Sequence, residues 1–157
     1  MTFRALSAFL LTALISPFAV AAEESSGFTS MEKAVFEVIN KARTQHGKAP
    51  LIWNEKIQLA CRQHSRQTAQ GKRPLGHDDF DERLKNLAIS FQSAGENVAS
   101  NRGHDDPVAH AVKGWLKSPG HRANLLGDFT LTGVGIARDK EGRFYFTQIF
   151  LKTTPPL

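Results

Sequence analysis

The chain has 157 residues, with 20 Lys and Arg against 15 Asp and Glu and a formal net charge of +5. That length suits one domain with a single core, and the acids are interspersed with no long Lys/Arg run, which argues against nucleic acid as a partner. Cys61 is the one cysteine, so no internal disulfide can form and the core alone must hold the fold.

Residues 1–21 read as a secretory signal peptide. Arg4 supplies a positive start, and Ala5 to Val20 are apolar except for Ser7, Thr12, Ser16 and Pro17. Ala19-Val20-Ala21 then offers a small-x-small cleavage site ahead of Glu23-Glu24. The clean apolar run is shorter than the ~20 residues of a membrane span, and nothing later is long enough. The mature chain is expected to be secreted or periplasmic, without a transmembrane segment. Residues 22–29 read as a short linker, 30–152 as the domain and 153–157 as a tail.

Thr29 and Glu32 match a capping box, and Met31, Ala34, Val35, Val38, Ile39 and Ala42 recur at helical spacing until Gly47. Pro50 to Trp53 is an extended link. Asn54 can cap a second helix through Ile57, Cys61, His64 and Thr68, ending at Gly71. On it Cys61 reads as a small buried hydrophobe and His64 as half-buried or solvated. Ser65 follows His64 directly, and adjacent side chains on a helix point apart, which disfavours a Ser-His pair.

The run GHDD occurs twice, at 76–79 and 103–106. The first lies in a loop before a short helix from Phe80 to Leu87. The second ends in Asp106-Pro107, an N-cap aspartate followed by a first-turn proline, and Val108, Val112, Trp115 and Leu116 continue at helical spacing. One copy therefore offers His77 for chemistry, and the other starts a helix with His104 in the loop ahead of it. Between them SAGENVAS reads as a strand with Val98 inward. Ser118-Pro119-Gly120 ends the later helix, HRANLL is a further turn, and LTGVGIARD and RFYFTQIFLK form two strands joined at Lys140 to Gly142. The last strand is apolar on both faces and should be central. These elements predict an α+β fold, a three-layer α-β-α sandwich around a small, mainly antiparallel sheet.

Three residues stand where propensity alone does not place them: His77 after a glycine, Glu96 among small and apolar neighbours, and His121 after a Pro-Gly break. A buried carboxylate must be paired, hydrogen-bonded or metal-bound. Two imidazoles and a carboxylate can hold an open zinc site or move protons. Equally, Glu96 can pair with an arginine such as Arg83 while both histidines face water. No short metal motif such as H-E-x-x-H decides between these.

Taken together, LIWNEKIQLACRQHSRQTA, LGHDDFDERL, SAGENVAS, AVKGWLKSPGHRANLL, LTGVGIA and YFTQIF resemble the CAP superfamily of SCP-domain proteins over Met31 to Leu151. The likeness is to its compact, disulfide-free bacterial members. The resemblance implies the same sandwich and a cavity lined by two histidines and two glutamates that can bind a divalent cation such as zinc. His77 and Glu96 match one residue of each kind. Ser118 stands at the second glutamate position, Tyr145-Phe146 replace the second histidine, and His121 is the candidate substitute. The implied metal ligands are His77, Glu96 and His121, with Ser118 also lining the cavity.

A fold of this kind serves varied tasks, and no nucleophile with a matched base emerges, so catalysis is not the expectation. The leading reading is an exported, monomeric, non-catalytic domain for a small molecule, lipid, envelope component or protein partner. One alternative is a metal-dependent hydrolase of envelope peptides or lipids, working through a metal-bound water. Another is a surface module using the basic charge with Phe80, Phe91 and Phe129.

Overall fold

The structure, a computed structural model, describes residues 17–153, with side chains from residue 27 onward. Most of the signal-peptide segment and the last four residues of the tail lie outside the described residues. The elements are α1 (Pro17–Gln45), β1 (Ile52–Trp53), α2 (Glu55–Ala69), α3 (Phe80–Asn86), β2 (Ser93–Asn101), α4 (Pro107–Lys117), α5 (Pro119–Leu125), β3 (Leu131–Arg138) and β4 (Phe144–Lys152). The sheet order is β1-β3-β4-β2. Its β2–β4 and β3–β4 pairs are antiparallel, and the short β1–β3 pair is parallel.

Helices cover both faces, as the apolar pattern of β4 requires. Phe146 and Phe150 join Val134 and Ile136 of β3 against Val35 and Ile39 of α1, Val112 and Trp115 of α4, and Leu125 of α5. From the opposite face of the same strand, Ile149 and Leu151 pack on Ile57 and Cys61 of α2 and Leu84 of α3. On β3 the residues facing α2 are Gly133 and Gly135. A Cβ there would come within 2.3 Å of the Gln58 nitrogen and 2.0 Å of the Arg62 nitrogen, so the helix backbone lies directly on the strand.

Two predicted caps hold. Asn54 Oδ1 accepts from the Ile57 N–H at 3.1 Å, and Asp106 Oδ1 accepts from the Ala109 N–H at 2.8 Å with Pro107 at the first helical position. The expected capping box at Thr29 does not: α1 runs through it from Pro17, so residues 22–29 are helix rather than linker. Inside a continuous helix the backbone needs no cap, and both side chains turn instead to Arg62, which donates to Thr29 Oγ1 and to Glu32. HRANLL forms most of α5, separated from α4 only by the extended Ser118. Val98, expected inward, is half-buried.

Candidate functional site

Glu96 sits in β2 opposite Ile149 of β4, which turns its side chain toward the face covered by α2 and α3. Its carboxylate is 1 % exposed. Arg83, on α3, grips both oxygens: Nη1 donates to Oε2, and Nη2 donates to Oε1 at 3.1 Å while also reaching the Asp78 carbonyl at 3.2 Å. His77, in the loop before α3, places Nδ1 2.9 Å from Oε1. A carboxylate beside a guanidinium accepts, so the hydrogen of this bond belongs to His77 Nδ1. The imidazole is 55 % exposed, making it the one solvent-facing partner of a buried ion pair. The preceding loop is held by Asp79, left-handed at φ 55°, whose carboxylate pairs with Arg73.

His121 approaches β2 from the other face. The next residue of β2, Asn97, points that way and is fully buried. Its Nδ2 donates to the His121 carbonyl at 3.1 Å, and its Oδ1 accepts from Asn124 Nδ2 at 3.0 Å. Asn124 also donates to the Glu96 carbonyl at 3.0 Å, which ties α5 to the edge strand. His121 and Ser118 then line a groove of about 270 Å³ with His110, Gly114, Trp115 and residues 98–101 of β2. Burial, reinforced by the nearby His77, lowers the pKa of His121. The structure thus brings His77 and Glu96 into contact and sets His121 and Ser118 in a groove against the same strand.

Behind Glu96 lies a polar chain that periodicity did not separate from an ordinary helix face. His64, expected half-buried or solvated, is 1 % exposed. Its Nδ1 is 3.1 Å from Thr147 Oγ1, Thr147 Oγ1 is 2.8 Å from Ser65 Oγ, and Ser65 donates to the Gly135 carbonyl at 2.9 Å. A carbonyl can only accept, so Ser65 gives it its one hydrogen. Thr147 must then donate to Ser65, and His64 Nδ1 to Thr147. This fixes the His64 tautomer and leaves Nε2 as a bare, buried acceptor. Burial, with Arg83 adding to it, lowers the pKa of His64 and keeps it neutral. His64 and Ser65 meet through Thr147, not directly, and Ser65 is 1 % exposed, so the pair presents no nucleophile. Cys61 is fully buried beneath Gly133, and burial, with the Glu96 charge adding to it, pushes its thiol far above the ordinary range.

A divalent cation at His77, Glu96 and His121 is the ligand set the family resemblance implies. Both Glu96 oxygens already accept from Arg83, and the His77 nitrogen facing them carries a hydrogen. No group of three His, Cys, Asp or Glu among the described residues stands close enough to hold a metal ion. In this arrangement the residues do not fit the cation, which would have to displace a guanidinium.

The model of the CAP family, described as the cysteine-rich secretory protein family, matches residues 36–150. The chain belongs to this family. Among its relatives, an uncharacterised membrane protein of Bacillus subtilis, YlbC, is 36 % identical over 145 residues, which cover 88 % of this chain and 40 % of that protein. The uncharacterised protein YkwD of the same species is 34 % identical over 133 residues, covering 80 % of this chain and 49 % of that one. The chain therefore spans less than half the length of these relatives. An extracellular SCP-domain protein of Bacillus anthracis, solved by crystallography, superposes with a TM-score of 0.70 at 29 % identity, over 90 % of this chain and 45 % of that one. In this CAP domain no helix among the described residues is long and apolar enough to cross a membrane.

Proposed function

We propose that this CAP domain is exported and acts as a non-catalytic binding domain, taking its ligand at the edge strand β2 between exposed His77 and the groove of Ser118 and His121. The observation that carries this reading is the state of Glu96: its charge is met by Arg83 and its one solvent-facing partner is an imidazole. Such a cluster offers a ligand a positioned imidazole rather than a bare carboxylate. Neither Cys61 nor Ser65 reaches solvent to act as a nucleophile. The extracellular placing of the Bacillus anthracis relative supports export, in line with the amino-terminal signal pattern. The ligand class that suits a half-apolar groove with a few polar groups is a small molecule or lipid of the envelope.

Zinc titration of metal-stripped protein, followed by thermal unfolding, tests the metal-free part. A ligand at 100 times its dissociation constant stabilises a fold by about 2.7 kcal/mol. The expected result is no rise in Tm for either the parent or His77→Ala. A rise that His77→Ala loses would place a metal at His77 and overturn this reading. Turnover of an envelope peptide or lipid that is lost in His77→Ala would overturn its non-catalytic half.

A further inference from the structure

Away from the Glu96 cluster, three segments converge on a second concavity of about 500 Å³: the turn after α1 with Lys48, the end of α4 with Lys117, and α5 with Arg122. Pro119, Ala123 and Leu126 complete its lining, and no acidic residue contributes to it. Among the described residues none of the three cations forms an ion pair. The neighbouring carboxylate, Asp128, is engaged by Lys152 at 2.8 Å.

A fourth cation lies under the same loops. Arg43 is 2 % exposed, and every hydrogen bond it makes runs to a backbone carbonyl: Ala49, Leu125, Gly127 and Phe129, at 2.7 to 3.3 Å. Its donors are satisfied while its charge meets no carboxylate within ion-pair distance. Burying a guanidinium in this way is unfavourable, and burial lowers its pKa accordingly. The loops that Arg43 ties together, at Ala49 and at Leu125 to Phe129, flank the residues that line the concavity. One buried and three exposed positive charges therefore share this end of the molecule, with Asp128 as the nearby counter-charge.

We propose that this concavity is a binding site for a linear, phosphate-rich polyanion. Guanidinium and ammonium groups recognise phosphate oxygens by charge-assisted hydrogen bonds. A volume that would hold on the order of fifteen waters, at about 30 Å³ each, exceeds what one phosphate fills. Cations from three separate segments suit successive phosphates along a chain.

The test uses the full chain with inorganic tripolyphosphate, orthophosphate and phosphatidylglycerol vesicles at low and physiological salt. Tripolyphosphate is expected to bind at least about tenfold more tightly than orthophosphate and to weaken as salt screens the charges. Arg122→Ala should weaken it about tenfold, the magnitude of one charge-assisted contact, and Lys48→Ala/Lys117→Ala/Arg122→Ala should abolish it. Lys56→Ala removes the same charge from exposed α2 and should change binding less than about twofold. Equal loss in Lys56→Ala, retained affinity in the triple variant, or orthophosphate binding as tightly as tripolyphosphate would each overturn the proposal. So would vesicle capture without tripolyphosphate binding, which assigns the patch to a membrane.

Discussion

Glu32 and Glu96 are both buried carboxylates held by one arginine, yet their surroundings differ. Glu32 is fully buried and accepts from Arg62 Nε and Nη2, from Gln58 Nε2 at 2.7 Å and from the Ile136 N–H at 3.0 Å. It locks α1, α2 and β3 together and has no exposed partner beyond the Arg62 edge. Glu96 takes the same kind of guanidinium, but its remaining contact is His77, which stands in solvent. Ion pairing alone therefore does not mark a functional carboxylate. The distinguishing feature is a partner that another molecule can reach.

The largest effect expected is from Glu32→Ala, which strands a guanidinium and two buried donors. It should cost about 3–5 kcal/mol in urea unfolding. Glu96→Ala should cost less, roughly 2–3 kcal/mol, because His77 rehydrates when freed. Equal losses would erase the distinction between the two sites. An acid titration sharpens it further. The folded pKa of His64 lies below the ordinary 6.5 because burial penalises the imidazolium. The unfolded chain then binds more protons between that lowered value and 6.5, so stability is intact above 6.5 and falls as pH drops through this window. The decline in Tm between about pH 7 and pH 5 should be shallower in His64→Gln than in the parent, with His121 contributing the same sign to both. An unchanged slope would mean that His64 is not held neutral. Smallest is His77→Ala, under about 1 kcal/mol, because the imidazole is half exposed and Arg83 still holds the buried carboxylate; a larger loss would give His77 a structural role and weaken its claim as the recognition group.

Much of this was legible in the sequence where the signal is local. The caps at Asn54 and Asp106 and the apolar alternation of β4 depend on residues close together in the chain. In the second GHDD run Asp106 caps α4, and His104 stacks on His110 with ring centroids 3.5 Å apart. In the first, His77 reaches Glu96. Glu32 was misread because a capping glutamate and a buried ion-pair glutamate occupy the same pattern, and only partners 30 and 104 residues away separate them. The burial of His64 was hidden similarly, since its cover is Thr147, 83 residues on. Asn97 carried no expectation at all. Its role depends on strand alternation placing it toward α5 while Glu96 faces α3.

Gly133 and Gly135 set the spacing on which the polar chain depends. With hydrogen in place of Cβ on that face of β3, the only limit to how near α2 can lie is backbone against backbone. Ser65 can therefore reach the Gly135 carbonyl from the helix in a single hydrogen bond. The strand works as a caliper: a single methyl at Gly135 would open the gap between layers, and the lift would be felt along α2 rather than at one residue. The first casualty would be the bond from Ser65 to the Gly135 carbonyl, and with it the chain through Thr147 that fixes the tautomer of His64. The acid sensitivity of the fold is in that sense written into two positions that carry no side chain.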